Sequence, residues 1–219
     1  MNQLSMLQRN WQTLFIGSAF VFIVSTTIEP YPFDWLLKII PMLMLILYSI
    51  TFLQKGMPMA FILGLIFSVS GDFILSFYHA RGFIFGLGAF FMAHVFYIFS
   101  FGRWQFTVKK SLISLLLLAT TLFFLTLLYP HLGQLKVAVI AYMIVLLLMS
   151  MGSILSTRSN NWLILGGVSF VISDSLLGFN KFYSPITNAH LLIMVSYYLA
   201  QFSLVKGFSG RFEIAEDKT

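Results

Sequence analysis

The sequence predicts an all-α fold, a polytopic membrane helix bundle of eight transmembrane helices, and three observations lead there. Of 219 residues, 59% are hydrophobic and only 9% charged, against about 25% charged in an ordinary soluble domain. Eight apolar runs can be marked along the chain, each close to the roughly 20 residues that a membrane helix needs. The runs are too long for strands, and open sheet edges cannot face lipid. Eight helices take up about 160 positions and leave too few for a soluble domain. A soluble enzyme, a nucleic-acid-binding module and a disulfide scaffold are therefore excluded, the last also because cysteine is absent. The net charge of +6 is what membrane topology requires and implies no nucleic-acid partner.

The spans follow in order. The first, 11–28, has only Arg9 before it in the way of a charge, runs too long for a signal-peptide core and lacks a clear cleavage site. We expect an uncleaved first span. Glu29-Pro30-Tyr31-Pro32 ends it, and the second span covers 35–53 up to the polar turn Gln54-Lys55-Gly56. The third covers 58–77, and His79-Ala80-Arg81 separates it from the fourth, 82–101. The fifth, 111–129, stops at Pro130-His131, and the sixth, 135–151, precedes Ser159-Asn160. The seventh, 161–179, runs to Tyr183-Ser184-Pro185, and the eighth, 187–206, leads into a short tail, 207–219. All of 1–219 reads as one transmembrane domain.

Basic residues orient the helices. Arg9, Lys55, Arg103, Lys109, Lys110, Arg158, Lys206, Arg211 and Lys218 fall on one side, and Lys38, Arg81, Lys136 and Lys181 on the other. Nine against four puts both termini in the cytoplasm. A plain bundle of this kind fits a bacterial inner membrane best and would also fit the endoplasmic reticulum.

Spans three and seven repeat one pattern. Superposing Asp72 on Asp174 also aligns Gly64 with Gly166, Leu75 with Leu177 and Phe77 with Phe179. We expect two four-helix repeats, about 11–106 and 111–206. With four helices each, both copies insert the same way. Chance similarity between two Leu/Phe/Ser-rich helices is the competing explanation; against it, the alignment pairs the two intramembrane acids.

Asp72 and Asp174 are the residues that a membrane helix should not carry, since a carboxylate at that depth costs on the order of 2.5–3.5 kcal/mol. Each lies about five residues, roughly 8 Å, before the outer end of its span. Ser68 and Ser76 stand four residues either side of Asp72 on one helix face, and Ser173 and Ser175 flank Asp174. Lys38 lies about four residues into span two, at a matching depth. One lysine among two carboxylates neutralises one and leaves the other to be protonated, which splits two equal acids into an acid and a base. A lysine snorkelling from a helix end is the competing reading. His94 and Tyr97 share a face of span four but lie deeper. Tyr142 enters span six at about the depth of the acids, and His190, Tyr197 and Gln201 share a face of span eight. All of these also suit ordinary interhelical hydrogen bonding. Glu29, His79, His131 and Asn180 belong to the interface and need no special role. No pair of histidines has ligand spacing with an acid, so neither a metal nor a cofactor is expected.

These segments resemble the YhhN-like lysoplasmalogenase family of integral membrane proteins. The carrying stretches are Gly64 through Gly71-Asp72, Ala93-His94 to Tyr97, Ser173-Asp174-Ser175, Tyr197-Tyr198 to Gln201, and the Lys38-x-x-Pro41 stretch at the head of span two. Each is short, and their order, spacing and eight-span setting make the match specific. The resemblance implies a hydrolase that cleaves the vinyl-ether bond of lysoplasmalogen to a fatty aldehyde and glycerophosphoethanolamine or glycerophosphocholine, with Asp72 and Asp174 as the catalytic pair. Lys38, Ser68, Tyr142, His94, Tyr197 and Gln201 are then supporting or substrate-binding candidates. The partners are a lysophospholipid substrate and the bilayer. Vinyl-ether hydrolysis needs a protonated acid and a carboxylate, as two-carboxylate glycoside hydrolysis does. A proton-coupled transporter using the same Asp pair is the alternative from another class, and a lipid-binding or scaffold protein a third.

Overall fold

The computed structural model describes residues 3–28, 31–77 and 79–216, and the side chains within 10–28, 31–76 and 82–210. Side chains at Arg9, Glu29, His79, Arg81, Arg211 and Lys218, which entered the topology and interface readings, lie outside the described residues. Among the described residues eight α-helices follow one another: α1 Gln3–Ser25, α2 Asp34–Ile50, α3 Met59–Phe77, α4 His79–Phe101, α5 Val108–Leu128, α6 Lys136–Leu155, α7 Asn161–Gly178 and α8 Ala189–Glu216. Among the described residues the extended pairing is one isolated antiparallel bridge, Trp104 with Ser156. The protein is an all-α polytopic membrane protein. Among the described residues seven helices are long and apolar enough to cross a bilayer. The remaining one, α2, has 17 residues and is about 26 Å long, against a hydrocarbon core of roughly 30 Å.

Several boundaries differ from the sequence reading by a few residues, α6 for instance running to Leu155 where 151 was expected. His79-Ala80-Arg81 opens α4 instead of separating it from α3, because none of the three residues breaks a helix. The expected tail after Lys206 is helical as far as Glu216. No proline interrupts it, and Phe208 is buried, its ring 4.3 Å from that of Phe61. Burial of that aromatic face extends the helix past the first charged residue.

The chain divides into two compact units, 1–96 with 205–219, and 97–204. In the first, Trp11 of α1 stacks on the fully buried Tyr48 of α2 at 4.3 Å, and Gly71 of α3 lies under the Phe90 ring of α4. In the second, small residues bring α6 and α7 together: Ser150 Oγ donates to the Gly167 carbonyl at 2.9 Å, and Ser153 packs on Gly167. A methyl group there has no room. Gly167→Ala therefore destabilises by about 1–3 kcal/mol. Gly88→Ala, with nothing within 4 Å of the added carbon, gains up to about 1 kcal/mol. Thermal unfolding of the two variants in detergent checks the opposite signs.

Local chemistry sets the helix ends of the second unit. Asn160 Oδ1 accepts from the Leu163 amide to start α7. Gly102, at φ +72°, ends α4 in the left-handed conformation that glycine adopts without strain. Arg158 Nη1 donates to the Ser100 carbonyl at 3.0 Å and Lys110 Nζ to the Ser156 carbonyl at 2.9 Å. These two cations thus serve the carbonyl-rich ends of α4 and α6 as well as topology.

Candidate functional site

The first unit holds the Asp72 group. Asp72 sits on α3, five residues before the helix ends, and is 2% exposed. Lys38, in the second turn of α2, is 7% exposed, with its Nζ 3.4 Å from Asp72 Oδ1. The same ammonium donates to Ser76 Oγ at 3.4 Å. The structure therefore resolves the two readings of Lys38: it pairs with the acid and does not snorkel. The i, i+4 spacing puts Ser68, Asp72 and Ser76 on one face of α3, and Ser68 is fully buried there. Position fixes the pair. The ordered start of α2, where Asp34 Oδ1 accepts from the Trp35 amide, and the edge-on packing of Trp35 against Phe73 at 5.3 Å hold the start of α2 against the end of α3. His94, on α4, is fully buried in this unit.

The second unit holds the Asp174 group. Tyr142, buried on α6, donates its hydroxyl to Asp174 Oδ2 at 2.5 Å. Beside it, Ser173 Oγ donates to the Ile193 carbonyl of α8 at 3.1 Å, which ties α7 to α8 at this level. Each aspartate thus takes its partner from the helix that precedes its own in the chain, a lysine in one unit and a phenol in the other. The two carboxyls are held differently. An ammonium lies beside Asp72, whereas a phenol donates to Asp174.

The remaining candidates divide. Tyr97 donates to Gln201 Oε1 at 2.8 Å, both fully buried, so residues 104 apart in the chain form a pair that sequence spacing did not reveal. Tyr197 packs edge-on against Phe170 with ring centres 5.7 Å apart. His190, at the start of α8, is exposed although it shares a helical face with Tyr197 and Gln201. Asn180 needed no role from sequence, yet its Oδ1 accepts from the Ile186 amide at 2.9 Å and ties down the turn after α7. Among the described residues, no three His, Cys, Asp or Glu side chains converge as metal ligands would.

Comparison with known proteins places these residues in a family. The family model described as the YhhN family matches residues 33–208, which include both aspartates and their partners. The chain belongs to the YhhN family. Among relatives of this YhhN protein, the pig protein named Lysoplasmalogenase TMEM86B is 31% identical, across 76% of this chain and 71% of that one. The rat protein of the same name is 31% identical across 90% and 82%. A Mycobacterium bovis protein named Lysoplasmalogenase is 29% identical across 66% of this chain and 58% of its own length. No solved structure matches the chain.

Proposed function

We propose that this YhhN family protein is a lysoplasmalogenase, a hydrolase that cleaves the vinyl-ether bond of a lysoplasmalogen within the bilayer. Relatives named for that activity support it, and the chemistry of two carboxyl groups, Asp72 buried and Asp174 half-buried, carries it. The reaction is R–O–CH=CH–R′ + H₂O → ROH + OHC–CH₂–R′. A carboxylic acid gives its proton to the carbon β to the ether oxygen, leaving an oxocarbenium ion. Water adds to the carbon bonded to oxygen and gives up a proton to a carboxylate. The hemiacetal then loses the glycerophosphate alcohol and becomes the aldehyde, so one water is consumed and no net proton is gained or lost.

In this reading Asp174 is the acid. Tyr142 donates to its Oδ2 and orients the carboxyl group. Asp72, beside the Lys38 ammonium, is the carboxylate that steadies positive charge or accepts the proton from water. Tyr142→Phe removes a hydrogen bond to that carboxyl, of a kind worth about 1.5–3 kcal/mol when charged. We expect kcat to fall about 10–100-fold with KM little changed, measured by aldehyde release. The reading includes the duplicated four-helix unit, cytoplasmic termini and residence in a bacterial inner membrane. Its test is purified protein in detergent, where no gradient exists, supplied with ethanolamine and choline lysoplasmalogens. Aldehyde release from either supports it; release from neither refutes it.

A further inference from the structure

We propose that the crevice between α5 and α7 binds the hydrocarbon chain of a single-chain phospholipid, with the phosphate at the mouth formed by 129–136 and 179–186. This rests on the lysoplasmalogenase reading and states where in the second unit that substrate lies. The crevice encloses about 650 Å³, within the roughly 300–1,000 Å³ of small-molecule pockets.

Its lining is graded along its length. Leu117, Val168 and Ile172 form an apolar deep end, Thr121 and Ser175 stand midway, and Phe179 and Ile186 line the mouth. Gly178 faces Leu128 and Phe124 of α5, and α5 and α7 run in the same direction because α6 returns between them. Counting back three residues from Phe124 and from Gly178 brings Thr121 and Ser175 to about one level, that of Asp174. The Thr121 hydroxyl is buried there without a hydrogen-bond partner among the described residues. Such a donor needs an acceptor, and an ether oxygen at the head of a chain supplies one.

The mouth has the charge that a phosphate needs. Lys181 is exposed in the π-helical turn 179–183, His131 packs edge-on against Tyr183 at 5.2 Å, and Lys136 lies over the Tyr129 ring at 4.5 Å. Neither 129–136 nor 179–186 contains an acid. From Asp174 to Lys181 is seven residues, about 10 Å of helix, which a glycerol phosphate and a flexible lysine stem bridge together. The Asn180 bond to the Ile186 amide keeps that mouth formed. A π-turn at this point agrees with the tendency of such turns to mark functional sites. An apolar groove with a cationic mouth fits an anionic head on one chain.

The test has two arms. In the first, wild-type protein in detergent is photolabelled with an uncleavable 1-O-alkyl glycerophosphoethanolamine carrying a diazirine near its chain end. Label is expected on 117–124 and 168–172. Label spread evenly over the lipid-facing helices, or equal labelling of this crevice by a diacyl probe, overturns the proposal. In the second arm Val168→Trp fills the deep end. The kcat/KM ratio of octadecenyl to dodecenyl lysoplasmalogen should fall at least about tenfold. An unchanged ratio in a folded variant overturns the proposal. Confined label with no aldehyde release by the wild type refutes the lysoplasmalogenase reading while upholding the groove, so the two failures are distinguishable.

Discussion

Asp174→Asn should leave no more than about one-hundredth of the wild-type rate of aldehyde release, since general acid–base assistance is worth roughly 10²–10⁴-fold. The substitution removes a proton donor and little else. Asparagine has the same shape, and its carbonyl oxygen still accepts from the Tyr142 hydroxyl, which now reaches Asp174 Oδ2 at 2.5 Å. The variant should therefore unfold at the wild-type temperature and still bind the uncleavable alkyl probe. Loss of kcat with retained binding identifies the carboxyl proton as the group that matters. Full activity in this variant would sink the proposed mechanism whatever the other residues do.

Lys38→Met should be the most damaging single substitution for stability. Lys38 and Asp72 are both buried, with 3.4 Å between Nζ and Oδ1. Removing one member of a buried pair leaves an uncompensated charge, at about 3–5 kcal/mol. For a chain of this size each kcal/mol moves the midpoint about 2–4 °C, so a drop of roughly 6–20 °C is expected in detergent. The double variant Lys38→Met with Asp72→Asn has no orphaned charge and should recover most of that loss. It should not recover activity, because the carboxylate is gone. A Lys38→Met variant that melts like wild type would show that the pair does not carry a buried charge.

Much of the fold was legible because lipid allows so little else. Backbone groups must be satisfied within each segment, so apolar runs reveal the helices. Charge is so scarce that Asp72, Asp174 and Lys38 were conspicuous; the matching depth of Lys38 allowed a pairing with either acid or a snorkelling lysine, and the structure pairs it with Asp72. Partner choice deeper in the bilayer was not legible. Tyr142 stood at about the depth of the acids, but only the rotation of α6 against α7 turns it onto Asp174. Tyr97 and Gln201 depend on packing between helices 104 residues apart. The Thr120-Thr121 step reads as a polar notch in an apolar run; nothing in the sequence turns it toward α7. The continuation of α8 was missed because charge after Lys206 looks like the end of a span, while burial of Phe208 against Phe61 is a tertiary fact.

The short α2 has a consequence for the lipid around it. A 17-residue helix falls about 4 Å short of the hydrocarbon core, and hydrophobic mismatch of that size costs fractions of a kcal/mol per Å. A short helix of this kind is accommodated by local thinning of the bilayer, by snorkelling of flanking side chains or by association with neighbouring helices, and the stacking of Trp11 on Tyr48 shows α2 held by α1.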